Sequence, residues 1–143
     1  MKRIVSLFAV GVLAAAAMAC QGNVFSLKVG DCFNGGSAGD TVSDVSIVDC
    51  AQPHSSEVYS VFDYPNAPSD YPGDDAIQSA ANDRCATDFQ AYVGIDVNST
   101  TAYNVTFLRP TSDSWGQGDR TIDCIIEGVN NGQLTGSAKG TAK

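Results

Sequence analysis

The sequence is poor in the residues from which common active sites are built. It has a single histidine and a single tryptophan among 143 residues, and eight lysines and arginines against sixteen aspartates and glutamates. The formal net charge of −8 argues against a protein that binds bare nucleic acid, because such a protein needs a basic face. A Gly-x-Ser-x-Gly nucleophile elbow, a Cys-x-x-Cys pair and an EF-hand loop are also missing. The sequence therefore gives no positive signal for catalysis, and we expect no catalytic residues, metal site or cofactor.

The one long apolar run lies at the N-terminus. It covers residues 4–17, which is 14 residues and short of the roughly 20 that a membrane-spanning helix needs. Lys2 and Arg3 precede it, and Ala17-Met18-Ala19 supplies the small residues that a signal peptidase recognises. We therefore predict a signal peptide over residues 1–19. Its removal leaves six basic and sixteen acidic side chains, a net charge of −10.

The cysteine count of five is odd, so one cysteine must differ from the other four. Cys20 directly follows Ala19, at the position where bacterial lipoproteins carry their lipid-modified cysteine. We predict lipidation of Cys20, residues 20–23 as a short tether, and an extracytoplasmic domain anchored to the cell membrane. The alternative is a secreted protein, because Ala17 replaces the usual lipobox leucine and Ala-x-Ala also suits the ordinary signal peptidase.

The remaining four cysteines are typical of two disulfides in a small exported domain. We favour Cys32–Cys50 and Cys85–Cys124, because the first pair flanks a Gly-rich loop (residues 34–39) and the second joins a helix to a strand. The nearest alternative pairs Cys32 with Cys85 and Cys50 with Cys124. Zinc ligation competes poorly, since only one histidine is available.

Hydrophobic periodicity predicts strands with one main helix. The helix is expected from Asp74 to about Tyr92, ending at Gly94, with Ile77, Ala80, Ala81, Cys85, Phe89 and Tyr92 as its buried stripe. Strands are expected at residues 24–29, 42–50, 57–63, 102–108 and 120–127, followed by a tight turn at 130–132 and a short edge strand at 133–137.

Short hairpin-like connections predict an antiparallel sheet. The fold class is therefore α+β, with a small antiparallel sheet, one main helix packed on one face, and two disulfides. The alternation in strand 57–63 places Val58, Ser60 and Phe62 on one face. We expect the domain to span residues 24–137 and residues 138–143 to form a flexible tail.

Four residues are candidates for binding a partner: His54, Glu57, Trp115 and Arg120. His54 and Glu57 lie just before and at the start of a predicted strand, and His54 can equally tie a loop to backbone groups. Trp115 and Arg120 lie in or beside a predicted loop, where aromatic and arginine side chains favour binding but can also cover a small core. Asp74 and Asp75 are better explained as N-terminal helix residues than as calcium ligands.

The residues around the cysteines form a wider pattern. Gly30-Asp31-Cys32-Phe33 is followed by Cys50-Ala51-Gln52-Pro53-His54-Ser55-Ser56-Glu57-Val58-Tyr59, and then by Gly118-Asp119-Arg120-Thr121-Ile122-Asp123-Cys124. Together these segments resemble the septum-formation domain family of exported actinobacterial proteins, over about residues 24–128. The resemblance implies a lipoprotein or membrane-anchored protein associated with septum formation. It implies no catalytic residues.

The sequence thus predicts a non-enzymatic, membrane-tethered extracytoplasmic domain that binds a protein or envelope partner, in connection with septum formation. Its expected partners are the membrane, through lipid on Cys20, and an unidentified protein or envelope component, with no nucleic acid. The alternative is an envelope hydrolase or small-ligand-binding protein that uses His54 and Glu57, which would require a pocket at His54.

Overall fold

The computed structural model describes residues 20–35 and 42–143. The predicted signal peptide (1–19) and most of the Gly-rich loop lie outside these residues. The described residues form six strands and two helices, together with two single 3-10 turns. In chain order the strands and helices are β1 (Cys20–Asn23), β2 (Cys32–Asn34), β3 (Asp44–Val48), β4 (Ser56–Asp63), α1 (Asp74–Val93), β5 (Tyr103–Leu108), α2 (Ser112–Gly116) and β6 (Thr121–Gly128).

The six strands form one sheet in the order β1-β3-β2-β4-β6-β5, with every neighbouring pair antiparallel. Both predicted disulfides, Cys32–Cys50 and Cys85–Cys124, are present. The first holds the β2–β3 end of the sheet and the second joins α1 to β6. The predicted fold class, an α+β domain with an antiparallel sheet, one main helix and two disulfides, is confirmed.

Helix α1 packs on one face of the sheet through residues spaced four apart, which brings them to one side of the helix. Two apolar clusters fill this interface, and Gly94 ends the helix in the left-handed conformation at φ 95°. The predicted stripe is correct except at its edges, because Ala80 and Tyr92 are only half-buried and Val93 is buried instead. The buried helix residues are Ile77, Ala81, Cys85, Phe89 and Val93.

The opposite face of the sheet has its own apolar cluster. Val24 and Leu27, in the segment that follows β1, pack there against Phe33, Val45, Val58 and Ile125. This segment was predicted as a strand, but residues 24–26 form a 3-10 turn. The side chain of Asn23 caps that turn by accepting a hydrogen bond from the Phe25 amide at 2.9 Å. A local cap of this kind competes with strand pairing, and the alternation of apolar and polar residues does not reveal it.

A β-bulge changes which side chains of β4 face the helix. Val58 pairs with Ile125 but Ser60 pairs with Cys124, so Tyr59 is the extra residue. Tyr59 and Ser60 both reach α1, where they donate hydrogen bonds to the Cys85 carbonyl and to the Asp88 carboxylate. Val58 belongs to the cluster on the other face. The prediction that Val58 shares a face with Ser60 was therefore wrong.

The C-terminal segment also differs from expectation. The predicted tight turn is present, with Asn130 and Asn131 both in the left-handed region and the Gly132 amide donating to the Val129 carbonyl at 3.0 Å. The chain then crosses to His54 instead of returning beside β6. His54 and Leu134 exchange backbone hydrogen bonds at 3.0 and 2.8 Å, so the predicted edge strand is reduced to one bridge.

Residues 138–143 are docked on the domain, in contrast to the flexible tail that we predicted. Ala138 is buried, and the amides of Gly140 and Ala142 each donate to carbonyls at the end of α1, those of Tyr92 and Val93, at 2.9 Å. The small, polar composition of this segment gave no sign of such pairing. The carbonyl groups that hold it belong to the last turn of a helix, which leaves them free to accept.

Candidate functional site

The predicted residue Glu57 is fully buried and serves the fold. Its Oε1 accepts hydrogen bonds from the Tyr92 hydroxyl at 2.8 Å and from the Ser137 hydroxyl, and its Oε2 accepts from the Ala138 amide at 2.7 Å. The carboxylate thus joins β4, the end of α1 and the C-terminal segment. Burial raises the pKa of Tyr92 to about 12, and the Glu57 carboxylate contributes in the same direction, so the phenol stays a hydrogen-bond donor.

His54 is equally buried, with no surface exposed to solvent. Its Nδ1 lies 2.8 Å from the Gln52 carbonyl, which makes Nδ1 the protonated nitrogen. Its Nε2 has no partner among the described residues. The ligand atoms of His54, Glu57 and Cys32 lie within 4.8 Å of one another. Cys32 is already in a disulfide and Glu57 already accepts three hydrogen bonds, so this cluster has the composition of a core and not of an open metal site.

Trp115 and Arg120 form a second, separate cluster. The Arg120 guanidinium stacks on the Trp115 ring at 3.9 Å from the centroid and donates to the Trp115 and Asp119 carbonyls, both at 2.7 Å. Trp115 is 2% exposed and is packed edge-on by Tyr64 and Tyr71. It lies on α2, which we did not predict. The capping box between Thr111 and Ser114 starts this short helix and was its local signal.

The four candidate residues do not converge. His54 and Glu57 lie before and at the start of β4, whereas the backbone amide that follows β4, that of Tyr64, bonds to the Arg120 carbonyl at 2.8 Å. A strand of this length spans about 23 Å at roughly 3.3 Å per residue. His54 and Glu57 present no surface to a partner, Trp115 is buried as well, and Arg120 is half-buried. The contacts of all four residues are those of structural residues.

A cleft that the sequence did not predict lies on the face of the sheet opposite α1. Its volume is about 310 Å³. One side is apolar and the other carries two carboxylates. The residues that define it here are Val24, Phe25, Leu108, Asp119, Thr121 and Asp123.

Asp123 is the unusual group in this cleft. It is 6% exposed, and among residues 20–35 and 42–143 its carboxylate accepts no hydrogen bond and forms no ion pair. Burial raises the pKa of Asp123 to about 7, and the nearby Asp119 carboxylate adds to the effect. Asp123 alternates along β6 with Ile122 and Cys124, whose side chains pack toward α1, so its own side chain lies on the opposite face of the sheet. The second apolar layer, which the sequence did not reveal, encloses it.

The other cleft charges are fixed by their own partners. Asp119 accepts hydrogen bonds from the Ser114 hydroxyl at 2.9 Å and from the Thr121 amide at 3.1 Å. Arg109, at the cleft margin, forms an ion pair with Asp74 at 2.7 Å and is therefore turned toward the start of α1. The Asp74 carboxylate keeps the pKa of Arg109 above its usual value.

The candidate lipidation site, Cys20, is the first residue of β1 and pairs with Ile47 of β3. Residues 20–23, predicted as a short tether, are therefore part of the sheet. No helix in residues 20–35 or 42–143 has the length and apolar character needed to cross a membrane.

The chain, an α+β domain with two disulfides and a strand that begins at Cys20, matches a known family by sequence. The family model described as "Septum formation" matches residues 29–143, and the chain belongs to this family. The predicted resemblance is confirmed. The chain is also 36% identical, over 118 residues, to proteins named "Putative lipoprotein LppN" in Mycobacterium tuberculosis and Mycobacterium bovis. The match covers 80% of this chain and 63% of each relative's length. No solved structure matches the chain significantly.

Proposed function

We propose that this protein is a lipid-anchored, non-enzymatic domain of the bacterial cell envelope that binds a protein or envelope partner in connection with septum formation. Family membership and the similarity to mycobacterial proteins named as lipoproteins support the envelope association. The observation that carries the proposal is that Cys20, the residue that follows the signal-like segment of the sequence, is the first residue of strand β1.

The position of Cys20 has a geometric consequence. β1 pairs with β3 from its first residue, so diacylglycerol on Cys20 holds the domain at the membrane without an intervening linker. Two acyl chains provide stable anchoring. The acidic mature chain is repelled by anionic lipid, so the anchor and not the protein surface keeps the domain there.

The absence of an enzymatic role is supported by the burial of the predicted polar candidates. A substrate has no access to His54 or Glu57, both 0% exposed, and hydrogen bonds within the fold already occupy the Glu57 carboxylate. In the part of the chain that the structure describes, neither cavity is lined by His54, whereas the hydrolase alternative would use a pocket containing it.

Cell fractionation tests the anchoring. The wild-type protein should sediment with membranes and carry a mass increase on its N-terminal Cys20 peptide. Cys20→Ala should lose the modification and leave the membrane fraction, whereas Gln21→Ala, a control in the same strand, should behave like the wild type. An N-terminal peptide with unmodified Cys20 in membrane-bound protein would refute lipid anchoring.

Microscopy tests the septal role separately. A fluorescent fusion should concentrate at division sites, and deletion of the gene should change septum number or position. Uniform localisation together with normal septation in the deletion strain would refute the septal part of the proposal and leave the anchoring intact.

A further inference from the structure

The cleft that contains Asp123 has the composition of a binding site. A carboxylate in a mostly buried position costs free energy unless it is paired. Asp123 has no pairing partner among the residues that the structure describes, although it faces a cleft with space for a small group. A buried titratable group in a concave pocket marks a candidate site.

The walls of the cleft define the chemistry of a ligand. Val24, Phe25 and Leu108 supply apolar surface, and Phe25 is 66% exposed, the largest exposed fraction of any large hydrophobic residue in the described chain. Asp119 and Asp123 supply negative charge on the other side. A group that satisfies both walls has a cationic end on an apolar stem, as lysine side chains do.

The local charge also excludes the opposite type of ligand. Among the described residues, Arg109 is the one cation of the lining, and its guanidinium is held by Asp74 at 2.7 Å and donates to the Tyr71 hydroxyl at 3.2 Å. An anion entering the cleft would meet two carboxylates before it found a free donor. A cation meets two carboxylates, of which Asp119 is held in place by hydrogen bonds from Ser114 and Thr121.

We infer that this cleft binds a primary ammonium group carried on an apolar stem, with Asp123 as its principal counter-ion and Asp119 as the second. The inference rests on the partner-binding function proposed above and gives that function a site and a ligand chemistry. The ammonium can belong to a lysine side chain of a peptide or to a free alkylamine. The volume of about 310 Å³ suits one such side chain and not a folded domain.

Titration calorimetry with the purified mature protein tests the inference. The probes are acetyl-Gly-Lys-Gly-amide, butylamine, and the same peptide with norleucine in place of lysine. The lysine peptide and butylamine should bind, and norleucine should bind at least about tenfold more weakly because it lacks the charge. Tighter binding of the peptide than of butylamine identifies a peptide side chain as the source, whereas equal binding identifies the free amine.

Two variants make the test specific to the site. Asp123→Asn should weaken binding of the lysine peptide by about tenfold or more. Glu127→Gln is the matched control, because Glu127 lies on the same strand and the same face but outside the cleft, and it should leave binding unchanged. Thermal unfolding of both variants confirms that they are folded before binding is compared.

A measurement on the wild-type protein supplies an independent check. Affinity for the lysine peptide should rise between pH 5 and 8 as Asp123, whose pKa is raised to about 7, ionises beside the other charged residues of the cleft, Asp119 and Arg109. Equal binding of lysine and norleucine, or an unchanged affinity in Asp123→Asn, would overturn the inference. The inference would also be overturned if both amines failed to bind while Mg²⁺ alone bound to the wild type and not to Asp123→Asn. None of these results bears on membrane anchoring, which fractionation tests by itself.

Discussion

The Tyr92 hydroxyl donates a 2.8 Å hydrogen bond to Oε1 of the buried Glu57, and so joins the last turn of α1 to the start of β4. The same carboxylate accepts hydrogen bonds from the Ser137 hydroxyl and the Ala138 amide. One side chain therefore determines how the helix, the sheet and the C-terminal segment meet.

Glu57→Gln should destabilise the domain by about 1–3 kcal/mol, because the amide has one acceptor oxygen where the carboxylate has two and carries no charge. Urea unfolding measures this loss. Hydrogen exchange should speed up first at the amides of Ala138, Gly140 and Ala142, whose hydrogen bonds hold the C-terminal segment on the domain. Glu127→Gln makes the same chemical change away from this network and should alter neither quantity appreciably. Unchanged exchange in Glu57→Gln would contradict the role of Glu57 in docking the tail.

The two disulfides should contribute unequally to stability. The Cys85–Cys124 link closes a segment with a sequence separation of 39, and the Cys32–Cys50 link one of 18. Loop-closure entropy therefore predicts that the first disulfide stabilises the domain by about 4 kcal/mol and the second by about 3 kcal/mol. Cys85 and Cys124 are also both buried in the helix–sheet core, so their replacement leaves a cavity.

Paired alanine variants measure this difference. Urea unfolding of Cys85→Ala/Cys124→Ala should show a larger loss of stability than unfolding of Cys32→Ala/Cys50→Ala. The latter double variant is the internal control, because it removes the same number of sulfur atoms. A larger loss in the Cys32–Cys50 variant would show that the β2–β3 end of the sheet, and not the helix–sheet core, limits stability.

Stability should fall as pH rises toward neutrality because of Asp123. Its pKa is raised to about 7 in the folded protein, above the ordinary value of 3.8. Between these values the native state holds a proton that the unfolded chain has released, so ionisation of the native carboxyl opposes folding. The contribution is complete below about pH 4 and is lost as pH rises through about 7.

Thermal unfolding of Asp123→Asn against the wild type isolates this effect. The difference in Tm should shift in favour of the variant between pH 4 and 7, by an amount that corresponds to about 1.4 kcal/mol per unit of pKa shift. Asp70→Asn, an exposed position, should track the wild type across the same range. Parallel pH profiles for Asp123→Asn and the wild type would show that the carboxyl has an ordinary pKa.

The sequence predicted the elements well where local pattern and tertiary structure agree. The α1 helix ends at Gly94 because a left-handed residue is needed there, and the disulfide partners were those that a helix and a hairpin bring close. The bulge at Tyr59 was not predictable, because an extra residue in one strand depends on the register of its partner. Because of the extra residue, the β4 side chains from Ser60 onward lie on the face opposite to the one that continuous alternation from Val58 predicts.

The candidate site shows the same division. His54 and Glu57 stand out in the sequence because they are polar residues in a family pattern, but the fold buries both and uses them for its own contacts. Asp123, by contrast, was not a candidate site residue in the sequence. It alternates with isoleucine and cysteine along β6, and the tertiary structure places it in a cleft beside Val24 and Phe25.

The sequence by itself determined the class of this protein: an acidic α+β domain of the septum-formation family with two disulfides and a fifth, separate cysteine at position 20. These properties follow from composition, spacing and short motifs, which act locally along the chain. Only the tertiary structure decided which polar groups are structural, that residues 138–143 are docked, and that an unpaired carboxylate faces a cleft. Burial and pairing depend on residues far apart in the chain, so no local pattern contains them.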